Sequence, residues 1–330
     1  MKIGNQSFIF DNVYLEEAAC TTGPKEYLGP LGLLYDYSFD DLHINEDSWE
    51  KAEGRLLSKS IDILLKKSGY KINDIDLYIG GDLINQNIIT NYTLRNYDIS
   101  VVGIYGACST AILGMVLGSI FISGGNAKKI ICGASSHYAD AERQFRNPTE
   151  YGGPKVISTT STVTGASTFL LSNIGLIKIK GATLGKVIDV GLNNPNDMGS
   201  TMAPAAYDTL KALFNDFNYK PSDFDLILTG DLSKIGAPIL DDLFNDLDFT
   251  SRHMDAGLMV YHLTDDVFSG GSGCACIGIT SASIIYKKLI NKEYKRVILC
   301  GTGALLNPTI IYQNETIPAI AHAIILERND

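Results

Sequence analysis

One cysteine stands where the sequence pattern changes from strand to helix. Cys108 lies in the run VVGIYGACSTAILG, residues 101–114, in which an apolar stretch passes through small residues into a helical pattern. The first N–H groups of a helix lack internal partners and carry the positive end of its dipole, so a thiolate or a ligand carboxylate is stabilised there. Cys108 and Ser109 are therefore candidates for a nucleophile or for ligand contacts, with Tyr105 as a ring contact. The alternative for Cys108 is a small buried core residue.

Two aspartates occupy equivalent places in an internal repeat. Residues 70–83, YKINDIDLYIGGDL, recur as residues 219–232, YKPSDFDLILTGDL, with eight of the fourteen positions identical. Apolar helical faces precede both copies, so the pattern indicates a duplicated α/β unit. We expect Asp82 and Asp231 to lie at strand ends beside a pocket, where they would repel an anion unless they were protonated or accompanied by calcium. The alternative for both is capping of the following helix.

The least regular stretch is residues 135–154, which is polar and rich in arginine and aromatic residues. A long loop inside a compact domain is more often functional than idle. Arg143 and Arg146 are candidates for bidentate hydrogen bonds to a ligand carboxylate. The alternative is that they form salt bridges within a surface loop. The aromatic residues of this stretch are candidates for ring contacts or for core filling: Tyr138, Phe145 and Tyr151.

The composition excludes several classes of protein. The chain has 330 residues, 45% of them hydrophobic, and a net charge of −10 without a dense basic run, which argues against a nucleic-acid surface. The six cysteines lack CxxC spacing, so we expect free thiols and no metal site. The apolar run from Ile112 to Ile122 is shorter than the ~20 residues that cross a bilayer. We expect a soluble chain without a cofactor.

The predicted elements alternate between helix and strand in both halves of the chain, which is typical of a layered α/β sheet protein. We predict two domains, residues 1–180 and 181–330. The predicted helices cover 49–67, 84–95, 109–123, 205–217, 237–247 and 274–289. The predicted strands cover 7–10, 13–20, 76–80, 100–105, 129–133, 163–171, 176–180, 224–229, 259–263, 296–300 and 319–326.

A duplicated α/β unit with Gly-Ala-Cys-Ser at a strand-to-helix turn resembles the thiolase and ketoacyl synthase superfamily, over nearly the whole chain. That resemblance implies a layered α-β-α-β-α fold in which the cysteine accepts an acyl group with help from His and Asn partners. Here Gly230-Asp231-Leu232 stands where a ketoacyl synthase has His-Gln-Ala-Asn, and residues 270–273, GGSG, stand where Gly-Asn-Thr-Ser belongs. A cysteine without these partners indicates an enzyme converted into a binding protein.

Several stretches resemble one sporulation branch of this superfamily, the stage V sporulation protein AD family. They include residues 23–26, GPKE, residues 49–53, WEKAE, residues 135–137, SSH, and residues 141–146, AERQFR. The resemblance implies a protein of endospore formers that binds dipicolinic acid, with calcium as a candidate ion bound together with it. It also implies that the protein helps the SpoVA membrane proteins to move dipicolinic acid into the developing spore. It also implies a homodimer and a peripheral place on the spore inner membrane. The ligand-binding candidates are Cys108, Ser109, Tyr105, Asp82, Asn85, His137, Arg143, Arg146, Asp231, Gly271 and Ser272.

Two other functions remain open at this point. One is a condensing or acyl-transfer enzyme that uses Cys108 on an acyl-thioester, and the missing His and Asn partners speak against it. The other is an assembly scaffold whose pocket is vestigial. Binding of dipicolinate separates the scaffold from the binding protein, and acylation of Cys108 identifies the enzyme.

Overall fold

The structure is a computed structural model that describes residues 1–145, 155–263 and 267–329. Its strands are β1 Lys2–Ile3, β2 Ser7–Ile9, β3 Tyr14–Thr22, β4 Tyr37–Ser38, β5 Leu77–Gly81, β6 Val101–Gly103, β7 Lys129–Ser136, β8 Ser161–Thr162, β9 Gly165–Ser172, β10 Ile177–Leu184, β11 Leu226–Thr229, β12 His253–Asp255, β13 Gly271–Ser272, β14 Arg296–Ala304 and β15 Ala319–Arg328.

The helices fall between these strands. They are α1 Pro24–Tyr27, α2 Trp49–Ser68, α3 Ile88–Leu94, α4 Thr110–Ser123, α5 Tyr138–Phe145, α6 Met198–Phe217, α7 Ser233–Phe244, α8 Leu247–Thr250, α9 Ala256–Val260, α10 Cys274–Thr280, α11 Tyr286–Ile290 and α12 Pro308–Ile311. A π-helical turn, Ser281–Ile285, joins α10 to α11.

The strand order shows the duplication directly. In the main sheet of the described residues, β3-β9-β7-β5-β6 continues on its other side as β10-β15-β14-β11-β12, which is the same order built from the second half. In both sets the first three strands pair antiparallel and the last three pair parallel. The predicted duplicated α/β unit is therefore confirmed. The domain division at residue 180 falls inside β10 and stays a prediction.

The layers follow from where each helix buries its apolar face. Helix α2 packs on the outer face of the first half-sheet, and α6 packs on the outer face of the second. Helix α4 lies between them and contacts β5, β7 and β9 on one side and β10, β14 and β15 on the other. Its sequence, TAILGMVLGSIFIS, is apolar all round, which is the pattern of a helix buried on every side. The expected α-β-α-β-α layering is confirmed.

Local signals fix the ends of the two long outer helices. Ser48 accepts a hydrogen bond from the Lys51 N–H and begins α2, and Gly69 ends it in the left-handed conformation with a φ of 76°. Asp197 accepts from the Ser200 N–H and begins α6, which is about two turns longer at its start than the sequence pattern predicts. These two helices precede the two copies of the repeat.

Two predicted elements are wrong. Residues 259–263 are not a strand, because the Asp255 carboxylate accepts from the Gly257 N–H and begins helix α9 just before them. The first part of the predicted loop 135–154 is the end of β7 followed by α5, whose Ala, Glu, Arg and Gln residues are good helix formers. Residues 146–154, with Arg146 and Tyr151, lie outside the described residues.

Candidate functional site

Cys108 sits in a tight turn that leads from β6 into α4. Ala107 adopts the left-handed conformation with a φ of 49°, which is unusual for a residue with a side chain. The Thr110 hydroxyl donates to the Ala107 carbonyl at 2.7 Å and accepts from the Gly106 N–H at 3.0 Å. Ser109 donates its hydroxyl to the Gly106 carbonyl at 2.6 Å. Ser109 therefore stabilises the turn, and Cys108 projects from it with 7% of its surface exposed.

Asp231 is the polar partner of this thiol. It follows β11 and interacts with Cys108, whose pKa its charge raises. Its carboxylate accepts from the Thr302 hydroxyl at 2.6 Å and from the Gly273 N–H at 3.2 Å. Burial raises the pKa of Asp231 to about 7, against the lowering effect of the hydrogen bonds from Thr302 and Cys108. The carboxyl is therefore partly protonated near neutral pH.

The same environment keeps the thiol protonated. Burial raises the pKa of Cys108 well above its ordinary value, and the nearby Asp231 charge raises it further. The sequence pattern left a nucleophile or a ligand contact open for Cys108, and in the structure desolvation and the carboxylate outweigh any stabilisation of a thiolate by the helix start. A thiol in this state is a poor nucleophile.

A cavity of about 40 Å³ opens in front of Cys108, and we call it the Cys108 pocket. Tyr105 and Ser272 line it together with Cys108, as the sequence predicts, and Gly271 lies next to it as an acceptor for the Ser233 hydroxyl at 2.9 Å. The walls are mainly apolar. The lining residues are Leu83, Tyr105, Ala107, Cys108, Ala141, Phe145, Thr162, Met198, Ser272, Gly273, Ala304 and Leu306.

Asp82 has a different surrounding from Asp231, although both occupy the same repeat position. Its carboxylate accepts from the Thr90 N–H at 2.8 Å, from the Thr90 hydroxyl at 2.7 Å and from the Ile84 N–H at 3.0 Å. These contacts tie the chain after β5 to helix α3. The helix-capping alternative describes Asp82 better than the pocket contact does. Asn85 lies nearby, and its N–H donates to the Gln144 side chain at 3.1 Å.

His137 is held by both of its ring nitrogens. Nε2 donates to the Leu42 carbonyl at 2.9 Å, and Nδ1 accepts from the Ala139 N–H at 3.1 Å. Burial lowers the pKa of His137 to about 4, so the ring is neutral at physiological pH. Its ring also stacks on Trp49, at 5.5 Å between centroids. These contacts give His137 a structural role beside the start of α5.

Arg143 points to a neighbouring helix instead of the Cys108 pocket. It forms an ion pair with Glu50 of α2, and 46% of its side chain is exposed. Phe145, two residues further on, lines the Cys108 pocket. The structure therefore brings the aromatic candidate of α5 to the site, while the described arginine fastens α5 to α2.

A pair of buried carboxyl groups escaped the sequence analysis. Glu53 of α2 and Asp140 of α5 are at most 1% exposed, and the Ser135 hydroxyl donates to Glu53 at 2.6 Å. Burial raises the pKa of Asp140 to about 7 and raises that of Glu53, whose pKa the Asp140 charge raises further. One signal was available, because Glu53 lies four residues before Leu57 on the apolar face of α2.

Neither a metal centre nor a membrane span is visible in the part of the chain that the structure describes. No three His, Cys, Asp or Glu side chains gather there as ligands for a metal ion. No helix of residues 1–145, 155–263 or 267–329 is long and apolar enough to cross a bilayer. The six cysteines are free and buried.

Comparison with known proteins decides the family. The family model of stage V sporulation protein AD matches residues 4–327. The chain belongs to the stage V sporulation protein AD family. The protein of that name from Bacillus subtilis (strain 168) is 46% identical over 329 residues, which cover 98% of this chain and 97% of the relative. The resemblance to this sporulation family is therefore confirmed.

Solved structures show the fold that this member of the stage V sporulation protein AD family shares with condensing enzymes. OleA of Xanthomonas campestris is similar with a TM-score of 0.62 and 13% identity, over 96% of this chain and 99% of that chain. The 3-oxoacyl-[acyl-carrier-protein] synthase III of Aquifex aeolicus VF5 has a TM-score of 0.56 and 12% identity, over 98% and 100%. At these identities the likeness shows the thiolase-like fold alone.

Proposed function

We propose that this family member is a non-catalytic protein that binds dipicolinic acid in the Cys108 pocket and supports its uptake into the developing spore with the SpoVA membrane proteins. The observation that carries the proposal is the Cys108–Asp231 pair. In place of the acid and base groups of a condensing enzyme, it sets a buried thiol that keeps its proton beside a carboxyl that is partly protonated near neutral pH.

Acyl transfer would require a thiolate at Cys108. Proton transfer from the thiol to Asp231 is uphill, because the pKa of the thiol is raised well above its ordinary value while that of the carboxyl is about 7. Loss of the thiol proton to solvent while Asp231 is ionised would instead place two negative charges side by side in a buried site, which is costly. The resemblance to condensing enzymes therefore extends to the fold and the position of the cysteine, and the protonation state speaks against catalysis.

The Cys108 pocket offers features that suit a flat aromatic acid. The thiol and the protonated form of Asp231 can each donate a hydrogen bond to a carboxylate, and Tyr105 and Phe145 provide ring surfaces beside apolar walls. The cavity is smaller than a pyridine dicarboxylate, so binding requires the pocket to widen.

Attachment to a membrane transport complex is proposed to occur through protein contacts. The net charge of −10 opposes binding to anionic lipid, since the potential of such a surface attracts basic segments. A homodimer is part of the proposal by analogy with the superfamily.

The test uses Cys108 itself as the reporter. Dipicolinate is expected to slow alkylation of Cys108 by iodoacetamide, followed by intact mass, because the ligand covers the thiol. Leu83→Phe, which fills the pocket, is expected to remove the protection, and Leu247→Phe at a position 89% exposed is the matched control. Incubation with acetyl-CoA or malonyl-CoA is expected to leave the mass unchanged. A stable acyl adduct that Cys108→Ala abolishes, or no protection at saturating dipicolinate, would contradict the proposal.

A further inference from the structure

A second and larger cavity lies on the other side of Thr162, which lines both cavities. It measures about 520 Å³ and opens between α1 and the start of α5. We call it the lysine cleft, after Lys25 and Lys155 in its wall; Tyr138, Tyr261, Glu26 and Ser161 also line it. Its volume lies in the range of small-molecule sites.

Both lysines are set beside aromatic rings. The Lys25 ammonium lies 5.6 Å from the ring centroid of Tyr261, and the Lys155 ammonium lies 4.7 Å from that of Tyr138. Lys155 also donates to the Tyr138 hydroxyl at 2.6 Å and lies 3.7 Å from Glu142. The lysine cleft thus combines positive charge with ring surfaces in a chain whose net charge is −10. The Cys108 pocket has no basic residue among its described lining residues.

Two buried polar atoms in the wall of the cleft are unpaired. The Ser161 hydroxyl belongs to a residue that is 3% exposed and has no hydrogen-bond partner among the described residues. The same is true of Oε2 of Glu26, a residue that is 1% exposed. Buried polar groups without partners are rare because each costs free energy, so both call for an explanation.

The two oxygens of Glu26 have different surroundings. Oε1 accepts from the Thr164 N–H at 2.9 Å and from the Tyr261 hydroxyl. Burial raises the pKa of Glu26. In the neutral acid the proton then belongs on Oε2, since Oε1 already accepts two hydrogen bonds. The Ser161 hydroxyl can therefore donate to an anionic oxygen, and Glu26 can do so in its neutral form.

We propose that the lysine cleft is a binding site for a flat organic carboxylate: the two lysines neutralise its charge, the Ser161 hydroxyl donates to its oxygens, and the tyrosine rings cover its face. An inorganic anion such as phosphate would satisfy the lysines but would leave the ring surfaces unused. The inference rests on the proposed function in one respect, because it gives dipicolinate a second site next to the Cys108 pocket.

The experiment is titration calorimetry with three probes: dipicolinate, isophthalate and inorganic phosphate. Combining Lys25→Gln with Lys155→Gln is expected to weaken isophthalate and dipicolinate binding in the cleft at least tenfold, and Ser161→Ala is expected to weaken it about threefold to tenfold. Lys59→Gln is the matched control, since its ammonium lies 4.8 Å from the ring centroid of Tyr37 outside the cleft. Thermal unfolding verifies that each variant is folded.

The outcomes separate this inference from the proposed function. Unchanged isophthalate affinity in the lysine and serine variants, or phosphate binding as tight as isophthalate, overturns the lysine cleft. Dipicolinate binding that Leu83→Phe abolishes and the lysine variants preserve also overturns it, while the Cys108 pocket stands. If the protein binds isophthalate but does not bind dipicolinate, the result supports the lysine cleft and contradicts the proposed function. Failure of the wild-type protein to bind either carboxylate removes both.

Discussion

Asp82 and Asp231 occupy the same position in the two halves of the chain, and their carboxylates serve different purposes. Asp82 accepts hydrogen bonds from its own half, at Thr90, and so fastens helix α3 to the strand before it. Asp231 accepts from Thr302 and Gly273 and reaches Cys108 of the other half. One copy of the duplicated carboxylate is structural, and the other lies at the candidate site.

Replacing Asp231 should make Cys108 more reactive. Asp231→Asn removes the negative charge that helps to raise the pKa of the thiol, so the thiolate fraction at pH 8 increases. We expect alkylation of Cys108 by iodoacetamide to become several-fold faster, measured by mass spectrometry of the Cys108 peptide. Cys132, which is fully buried elsewhere, is the internal control. Equal or slower alkylation of Cys108 would show that Asp231 does not control the thiol.

Binding of dipicolinate in the Cys108 pocket should weaken as the pH rises. The pKa of Asp231 is about 7, so the carboxyl is mainly neutral at pH 6 and mainly charged at pH 8, where it repels a dianion. Above pH 7 the concentration of dipicolinate that half-protects Cys108 is expected to rise by up to about tenfold per pH unit. Asp231→Asn should flatten this dependence. A wild-type profile that is already flat between pH 6 and 8 would contradict it.

The buried pair of Glu53 and Asp140 should make the fold less stable at higher pH. In the folded protein the pKa of Asp140 is raised from 3.8 to about 7, so the folded state binds more protons than the unfolded state between these values. Its contribution to the free energy of unfolding is complete below pH 4 and is lost as the pH rises through 7. His137 and His322 act oppositely, but only between about pH 4 and 6.5, because burial lowers their pKa values to about 4.

The corresponding measurement is chemical denaturation of wild type and Asp140→Asn at pH 5 and pH 8. We expect wild type to lose more stability over this interval than the variant, whose side chain cannot ionise. Parallel changes in the two proteins would show that Asp140 is not the group that titrates.

Gly303→Ala should destabilise the site end of the fold. A Cβ at Gly303 would lie 2.5 Å from the Gly106 carbonyl and 3.2 Å from the Ser109 N–H, so β14 would have to move away from the turn that carries Cys108. We expect a loss of about 1–3 kcal/mol in the free energy of unfolding. Gly103→Ala is the control, because its nearest contact is an ordinary 3.4 Å. Equal stability of the two variants would mean that the approach of β14 is not tight.

Docking through protein contacts predicts a simple fractionation result. The purified protein should stay in the supernatant with anionic vesicles and should sediment with spore membranes that carry the other SpoVA components. Increasing the salt concentration should not create vesicle binding, because screening the charge repulsion does not supply an attraction to the lipid. Strong sedimentation with bare vesicles would exclude the protein-contact account.

The sequence predicted the elements and their duplication because each depends on local signals. Each copy of the repeat, with Asp82 in one and Asp231 in the other, is a local pattern of fourteen residues. The caps of α2 and the apolar sequence of α4 are also patterns of residues that are close together in the chain. The site was only partly predictable. The sequence indicated Cys108, Tyr105 and Ser272 at one pocket, and the structure places them there.

The remaining features depend on contacts between distant residues. The protonated state of Cys108 results from burial and from Asp231, more than 120 residues away in the chain. The role of Arg143 follows from Glu50, which no local pattern connects to it. The lysine cleft joins Lys25, Lys155 and Tyr261, which no motif links. Such contacts become visible only when the layers are assembled.

The burial of α4 between both half-sheets has a consequence for synthesis on the ribosome. The helix and the strands β5, β7 and β9 emerge first, while β14 and β15, which cover its other side, are translated much later. During that interval an apolar surface with Ile112, Met115 and Val116 has no partner, and exposed surfaces of this kind promote aggregation. We therefore expect truncated versions that end before β14 to be insoluble.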